Sequence, residues 1–130
     1  MFLASTTEVG LANENSIAEG SLLALFSNDA SRVAYPTSEC VSNSEYTNTN
    51  FTTSKGWYWW LRTPYSSGAG SVRYVLTDGT LASSYAYNGN KAGVRPLCNL
   101  SSSILVSDTT NNDGNYEIIY NAAPSAPPSF

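Results

Sequence analysis

A chain of 130 residues fits one domain with a substantial core. Charged residues make up 12% of the sequence, about half of the usual share, and Ser, Thr, Asn and Tyr take their place. The net charge of −4 and the scattering of the six Lys and Arg residues argue against nucleic-acid binding, which needs clustered basic side chains. No apolar run is long enough to span a bilayer, so we expect neither nucleic acid nor a membrane as a partner.

The first half of the chain predicts short elements separated by turns. Met1–Ala4 reads as a short strand, and Ser5–Glu8 has the pattern of a capping box that opens a brief helix. The apolar segment Ser21–Phe26 fits either a helical turn or a buried strand, since its length is too small for periodicity to decide. Arg32–Tyr35 predicts another short strand, and the polar segment Ser38–Ser54 predicts a long loop.

The strongest strand signal lies at Tyr58–Arg62. Alternation places Trp59 and Leu61 on one face and Trp60 on the other. Large apolar groups on both faces are typical of a central strand that is covered twice. We therefore favour a core role for the tryptophans, with a sugar-stacking platform as the alternative.

A hairpin is predicted at Asp78-Gly79, between two β-rich runs. A two-residue type I′ loop would place Thr77 opposite Thr80, and Leu76 opposite Leu81.

Towards the carboxyl end, Asn111–Gly114 predicts a turn and Tyr116–Tyr120 a last strand. The Pro-rich segment at residues 122–130 predicts a stiff linker to the rest of a larger protein. Many short strands and few helical stretches indicate an α+β domain with a small, irregular antiparallel sheet, short helices and long loops.

The residues needed for common catalytic chemistry are missing. The chain has no His, which removes the commonest general base and metal ligand. Its two cysteines, Cys40 and Cys98, fit no metal spacing, and we favour two buried free thiols over a disulfide. Arg62 and Arg95 are expected to donate to backbone carbonyls or a buried carboxylate, with ligand contact as the alternative. We therefore expect no enzymatic activity, no cofactor and no metal site, although clustered Asn and acidic residues leave calcium binding open.

Several of these motifs together resemble a domain that is common in phages and prophages of gut Firmicutes and on bacterial surface proteins. The resemblance implies a C-type-lectin-like fold of the formylglycine-generating-enzyme type, with residues 1–121 as a ligand-binding domain. Two departures limit what it implies: the cysteine pair of the formylglycine-generating enzymes and the calcium-site motif of sugar-binding lectins do not appear here. The segments that carry the resemblance are Phe2–Gly10, Trp59–Pro64, Val72, Asp78-Gly79, Leu81 and Gly93–Pro96.

In related proteins this fold displays residues that are varied by diversity-generating retroelements. The resemblance therefore implies a variable, ligand-binding face rich in Tyr and Ser. We expect a receptor-binding domain of a phage tail protein that recognises a bacterial surface protein or glycan, on the virion or on a bacterial cell surface. The alternative is a structural or decoration module, and the oligomeric state stays open, a homotrimer being common among tail proteins. The candidate ligand-binding residues are Tyr65, Ser66, Ser67, Arg73, Tyr74, Ser83, Ser84, Tyr85 and Tyr87.

Overall fold

The protein has an α+β structure with short helices and small antiparallel sheets. The structure, a computed structural model, describes residues 1–46, 48–87, 92–100, 103–112 and 114–119. The predicted linker at 122–130 lies outside the described residues, as does Tyr120. The elements are a 3-10 helix at Glu14–Ser16, helices α1 (Asp29–Arg32) and α2 (Ser38–Asn43), and strands β1 (Trp59–Pro64), β2 (Ser71–Val75), β3 (Leu81–Tyr85), β4 (Leu105–Val106) and β5 (Ile118–Ile119).

The chain divides into two compact units, Met1–Leu97 and Cys98–Phe130. The first contains the antiparallel sheet β1-β2-β3, and the second contains the β4-β5 pair. In the second unit the predicted turn at Asn111–Gly114 is confirmed, because the Gly114 amide donates to the Asn111 carbonyl and Gly114 has a φ of +78°. None of the helices in the described part of the chain has the length and apolarity to cross a membrane.

One face of the three-stranded sheet forms the core of the first unit. Trp59 and Leu61 of β1 are 2% exposed, and they pack with Phe26, Val75, Ala4 and Val9. The predicted alternation along β1 is confirmed, since its buried residues are every second one. The prediction that both faces of this strand are covered is wrong, because Trp60, on the face opposite to Trp59, is only half-buried. In the sheet order the middle strand is β2, not β1.

Backbone pairs outside the sheet fix the far edge of β1. The Trp60 amide donates to the Gly93 carbonyl, and the Gly93 amide donates to the Tyr58 carbonyl. Phe2 and Leu97 exchange two hydrogen bonds and so join the two ends of the first unit. The predicted strand at Met1–Ala4 is thus a single bridge at Phe2.

The hairpin at Asp78-Gly79 forms with a different register from the predicted one. Val75 lies opposite Leu81, and the Leu76 amide donates to the Thr80 carbonyl, so the loop has three residues. A type I′ turn needs positive φ at both central residues, but Gly79 has a φ of +87° and Asp78 does not have a positive φ. The hairpin loop is thus a three-residue connection with a positive-φ glycine at its last position.

The capping box predicted at Ser5–Glu8 is confirmed. The Ser5 amide donates to the Glu8 carboxylate at 2.9 Å, and the Glu8 amide donates to the Ser5 hydroxyl at 3.1 Å. The brief helix predicted to follow is not formed: residues 6–10 make a turn, which ends where Gly10 has a φ of +71° and the Leu11 amide bonds back to the Thr6 carbonyl.

Two predictions between residues 21 and 54 are corrected by helices. Arg32, predicted to begin a strand, is the last residue of α1. Asn28 caps the amino end of this helix, because its side chain accepts a hydrogen bond from the Ser31 amide. The first part of the predicted loop Ser38–Ser54 is α2, because the Thr37 side chain accepts from the Cys40 amide and caps the helix.

The two cysteines are free, and both are exposed. The favoured interpretation of buried thiols is therefore wrong for Cys40 and for Cys98. Cys40 lies on the short α2, which has no buried residue.

Candidate functional site

The predicted ligand-binding residues fall on both faces of the three-stranded sheet. Residues that pair directly across antiparallel strands share a face. Tyr74 lies opposite Ala82, and Val72 lies opposite Ser84, so Tyr74 and Ser84 share the face opposite to the core. Arg73 lies opposite Ser83, on the face that includes the core residues.

Three of the predicted residues contact one another and Glu14 instead of forming an open surface. Arg73 makes an ion pair with Glu14 and lies over the Tyr65 ring at 4.3 Å from its centroid. The Ser66 amide donates to the same carboxylate at 2.9 Å. Burial works to raise the pKa of Glu14, but the hydrogen bonds from Ser66 and Arg73 outweigh it and lower that pKa. This cluster ties the 3-10 helix at Glu14–Ser16 to the sheet.

Four further predicted residues lie on β3 or in the turns beside the sheet. Tyr85 and Tyr87 are 49% and 79% exposed, and their rings stack with centroids 5.2 Å apart. Ser67 is exposed in the turn between β1 and β2, and Ser83 is half-buried on β3. The stacked tyrosines are the most accessible aromatic groups among the predicted residues.

A cleft of about 290 Å³ opens on the sheet face opposite to the core. Its walls are aromatic: the Tyr74 ring lies edge-on to Trp60 at 5.6 Å and edge-on to Tyr58 at 5.9 Å. Two predicted residues, Tyr74 and Ser84, line it. We call this recess the aromatic cleft; its described lining residues are Tyr46, Tyr58, Trp60, Tyr74, Leu76, Ser84 and Ala92.

The sequence prediction missed most of the aromatic cleft. Tyr58 and Trp60 were detectable, because alternation along β1 places them opposite to the core residues. Tyr46 was not, since it lies in the segment predicted as a loop, and its ring packs against those of Trp57 and Phe51, at 5.6 and 6.1 Å between centroids.

A second cleft has a volume of about 470 Å³ and shares one lining residue, Tyr58, with the first. Tyr35, 61% exposed, contributes an aromatic ring to it, and Arg95 contributes a guanidinium. We call it the Arg95 cleft; its other described lining residues are Val33, Ala34, Pro36, Thr37, Cys40, Phe51, Trp57, Trp59, Gly93, Val94 and Pro96. No sequence signal had joined these segments into one recess.

Both arginines that were expected to donate to backbone carbonyls do so. Arg62 donates to the Leu3 carbonyl at 2.8 Å and to the Glu8 carboxylate at 2.6 Å. Arg95 donates to the Arg32 carbonyl at 3.3 Å.

The described lining of the two clefts carries little charge. Among the described lining residues of the two clefts, Arg95 is the one charged side chain. Burial raises the pKa of the Tyr74 phenol, with a smaller contribution from Tyr58, so this hydroxyl stays protonated near neutral pH. Within the described ranges, no three His, Cys, Asp or Glu side chains come together as they would around a metal ion.

Comparison with known proteins places the chain in a family without assigning it an activity. No curated protein and no solved structure is significantly similar to it. Residues 1–102, which include both clefts, match a family described as a domain of unknown function, DUF6273. Because this match covers most of the chain, the protein belongs to the DUF6273 family.

Proposed function

We propose that this protein is a host-recognition domain of a phage tail or bacterial surface protein, which binds a bacterial surface glycan or protein without catalysing a reaction. Its fold would be the C-type-lectin-like form of the α+β class, and its place of action the virion or the bacterial cell surface. The observation that carries the proposal is the open aromatic cleft on a sheet whose opposite face is the core.

The aromatic cleft has the properties of a preorganised binding surface. Trp60 extends from β1 and Tyr58 directly precedes that strand, whose residues Trp59 and Leu61 are fixed in the core. Tyr and Trp give large contact areas, and few torsions are lost on binding. Polar hydroxyls such as that of Ser84 add hydrogen bonds that orient a ligand.

The exposed Tyr85–Tyr87 pair provides a second argument for recognition. Two large aromatic side chains that stack on each other while exposed to solvent are typical of interaction surfaces. Several copies on one particle would turn weak single-site binding into strong attachment, with a gain of about 10² to 10⁴.

The proposal is tested by binding of the full chain, joined to a tetrameric carrier, to a panel of gut Firmicutes cells and to a glycan array. Tyr74→Ala removes one wall of the aromatic cleft, and the double variant Tyr85→Ala, Tyr87→Ala removes the exposed pair. We expect one of these variants, measured as the single chain without the carrier, to bind the identified cell or glycan about thirty-fold more weakly, the effect of losing a hot spot of about 2 kcal/mol. Tyr116→Ala, at an exposed tyrosine that lines neither cleft, is the matched control and should bind like the parent.

Near-ultraviolet circular dichroism must confirm that each variant is folded. If the folded parent protein binds no cell and no glycan, the proposal is overturned in favour of a structural or decoration module. Binding that none of the variants weakens would move the recognition surface away from the residues named here.

A further inference from the structure

Arg95 differs from the other three arginines of the chain in its partners. Arg32, Arg62 and Arg73 each form an ion pair with a carboxylate, on Asp29, Glu8 and Glu14 respectively. Among the described residues, no carboxylate lies within ion-pair distance of Arg95.

The position of Arg95 fixes its guanidinium at the wall of the Arg95 cleft. The group lies over the Phe26 ring at 5.0 Å and over the Trp59 ring at 5.1 Å. Within the described part of the chain one carbonyl, that of Arg32, accepts from it, whereas a guanidinium carries five N–H donors. The orientation is thus set by the core, and donor capacity remains for a ligand.

The surroundings of Arg95 favour a negatively charged ligand group. Burial lowers the pKa of Arg95, which means that removal from water disfavours the charge that the side chain carries. A carboxylate in the cleft would offset this cost with a bidentate, charge-assisted pair. A single cation in a protein with a net charge of −4 matches one carboxylate better than a polyphosphate, which needs several basic groups.

The remainder of the two clefts suits a sugar chain. Their described lining is aromatic and hydroxyl-bearing, and rings such as Tyr35, Tyr58 and Trp60 offer flat faces to the C–H face of a pyranose. The Arg95 cleft, at about 470 Å³, lies within the range of ligand sites, which is about 300–1,000 Å³, and the aromatic cleft, at about 290 Å³, lies just below it. Tyr58 lines both clefts, so a sugar seated in the Arg95 cleft would contact a ring that also lines the aromatic cleft.

We propose that the Arg95 cleft is a groove for an acidic oligosaccharide, in which a uronic-acid carboxylate pairs with Arg95 and a neighbouring hexose stacks on Tyr35 or Tyr58. This inference rests on the proposed recognition function and names the ligand class of the same region. An acidic peptide is the competing occupant, and it lacks the flat, hydroxyl-rich faces that this lining would contact.

The test uses the full chain and pairs of glycans that differ only in charge. Uronate-bearing oligosaccharides of bacterial-surface type, including a glucuronate-containing hyaluronan hexasaccharide, are compared with their carboxyl-reduced forms on an array and by calorimetry. Surface polysaccharide is also purified from any cell that the protein binds. Its native and carboxyl-reduced forms are then compared as competitors of cell binding. We expect the carboxylate forms to bind at least ten-fold more tightly than the reduced forms.

Variants at Arg95 connect this preference to the cleft. Arg95→Gln should abolish the preference for the carboxylate form, and Arg95→Lys should retain part of it. Arg62→Gln also removes one positive charge but lies outside both clefts, so it should leave the preference unchanged. If Arg95→Gln does not fold, Arg95→Lys and Tyr35→Ala still test the groove, since both should weaken uronate binding in a folded protein.

The outcomes separate this inference from the proposed function. The acidic-glycan inference alone would be overturned by three results together: Tyr74→Ala loses cell binding, Arg95→Gln keeps it, and the native and reduced glycans bind equally well. Cell binding that protease treatment of the cells abolishes would identify a protein ligand and overturn it as well. Absence of binding to every cell and glycan would overturn both.

Discussion

At the scale of single residues, charged side chains tie the amino-terminal segment to the sheet. Glu8 accepts from the Ser5 amide and from Arg62 of β1, so one carboxylate both caps a turn and joins it to a strand. The hydrogen bond from Arg62, with help from Ser5, lowers the pKa of Glu8 and outweighs burial, which acts to raise it.

Replacement of Glu8 by Gln should therefore destabilise the fold in a pH-dependent way. At pH 7 we expect a loss of about 1–2 kcal/mol in the free energy of unfolding, since a charge-assisted hydrogen bond is lost. The lowered folded-state pKa means that the carboxylate stabilises the fold above the ordinary pKa of Glu, about 4.3, and that this stabilisation is lost as the pH falls through the folded-state pKa. Urea unfolding followed by tryptophan fluorescence should show the gap between the parent and Glu8→Gln shrinking towards pH 3.

The exposed Glu45→Gln is the control, and it should stay within about 0.5 kcal/mol of the parent. A gap at Glu8 that stays constant from pH 7 to pH 3 would contradict the role assigned to its charge.

At the scale of elements, the tip of the β2-β3 hairpin is shaped by its contact with α1. Gly79 is buried, and a Cβ placed on it would lie 1.9 Å from the Asp29 carbonyl oxygen. The Arg32 Nε donates to the Gly79 carbonyl at 2.8 Å. The hairpin turn is thus a packing surface as well as a chain reversal.

Gly79→Ala should be strongly destabilising, by about 2–5 kcal/mol, because it combines backbone strain at positive φ with a clash against backbone. Gly70→Ala is the matched control, since Gly70 also has positive φ, +75°, but a Cβ placed on it would meet no described atom within 4 Å beyond its own chain neighbours. We expect a loss of about 1 kcal/mol there. Chemical denaturation measures the free energy of unfolding of both variants. Equal losses would show that the contact with α1 does not add to the cost of Gly79→Ala.

At the scale of the whole molecule, the family match and the first compact unit cover nearly the same residues. The match ends at residue 102, and the unit Met1–Leu97 is closed by the Phe2–Leu97 bridge. All three tryptophans of the chain lie in this unit.

We therefore predict that a fragment of residues 1–102 folds independently. Its near-ultraviolet circular dichroism should match that of the full chain, and its thermal midpoint should lie within about 5 °C, the shift that about 1 kcal/mol produces in a domain of this size. Reducing conditions are needed, because both cysteines are free and exposed. A fragment without cooperative unfolding would show that residues beyond 102 stabilise the first unit.

Local features of the fold could be predicted from the sequence. The capping box at Ser5–Glu8, the alternation along β1 and the turn at Asn111–Gly114 depend on residues close together in the chain, and each is confirmed. The one-residue error in the hairpin register had a larger effect. The predicted register would have placed Ser83 on the face of Tyr74. In the structure Ser84 lies there instead, because side chains alternate between faces along a strand.

By itself, the sequence determined the α+β class, the alternation along the aromatic strand and the low content of charged residues, because composition and short-range periodicity decide these properties. Only the tertiary structure decided which aromatic residues meet. Tyr46, Tyr58 and Tyr74 come from separate segments, and no pattern along the chain brings them together. The same holds for Arg95, whose isolation from every described carboxylate depends on how distant segments pack, not on its neighbours in the sequence.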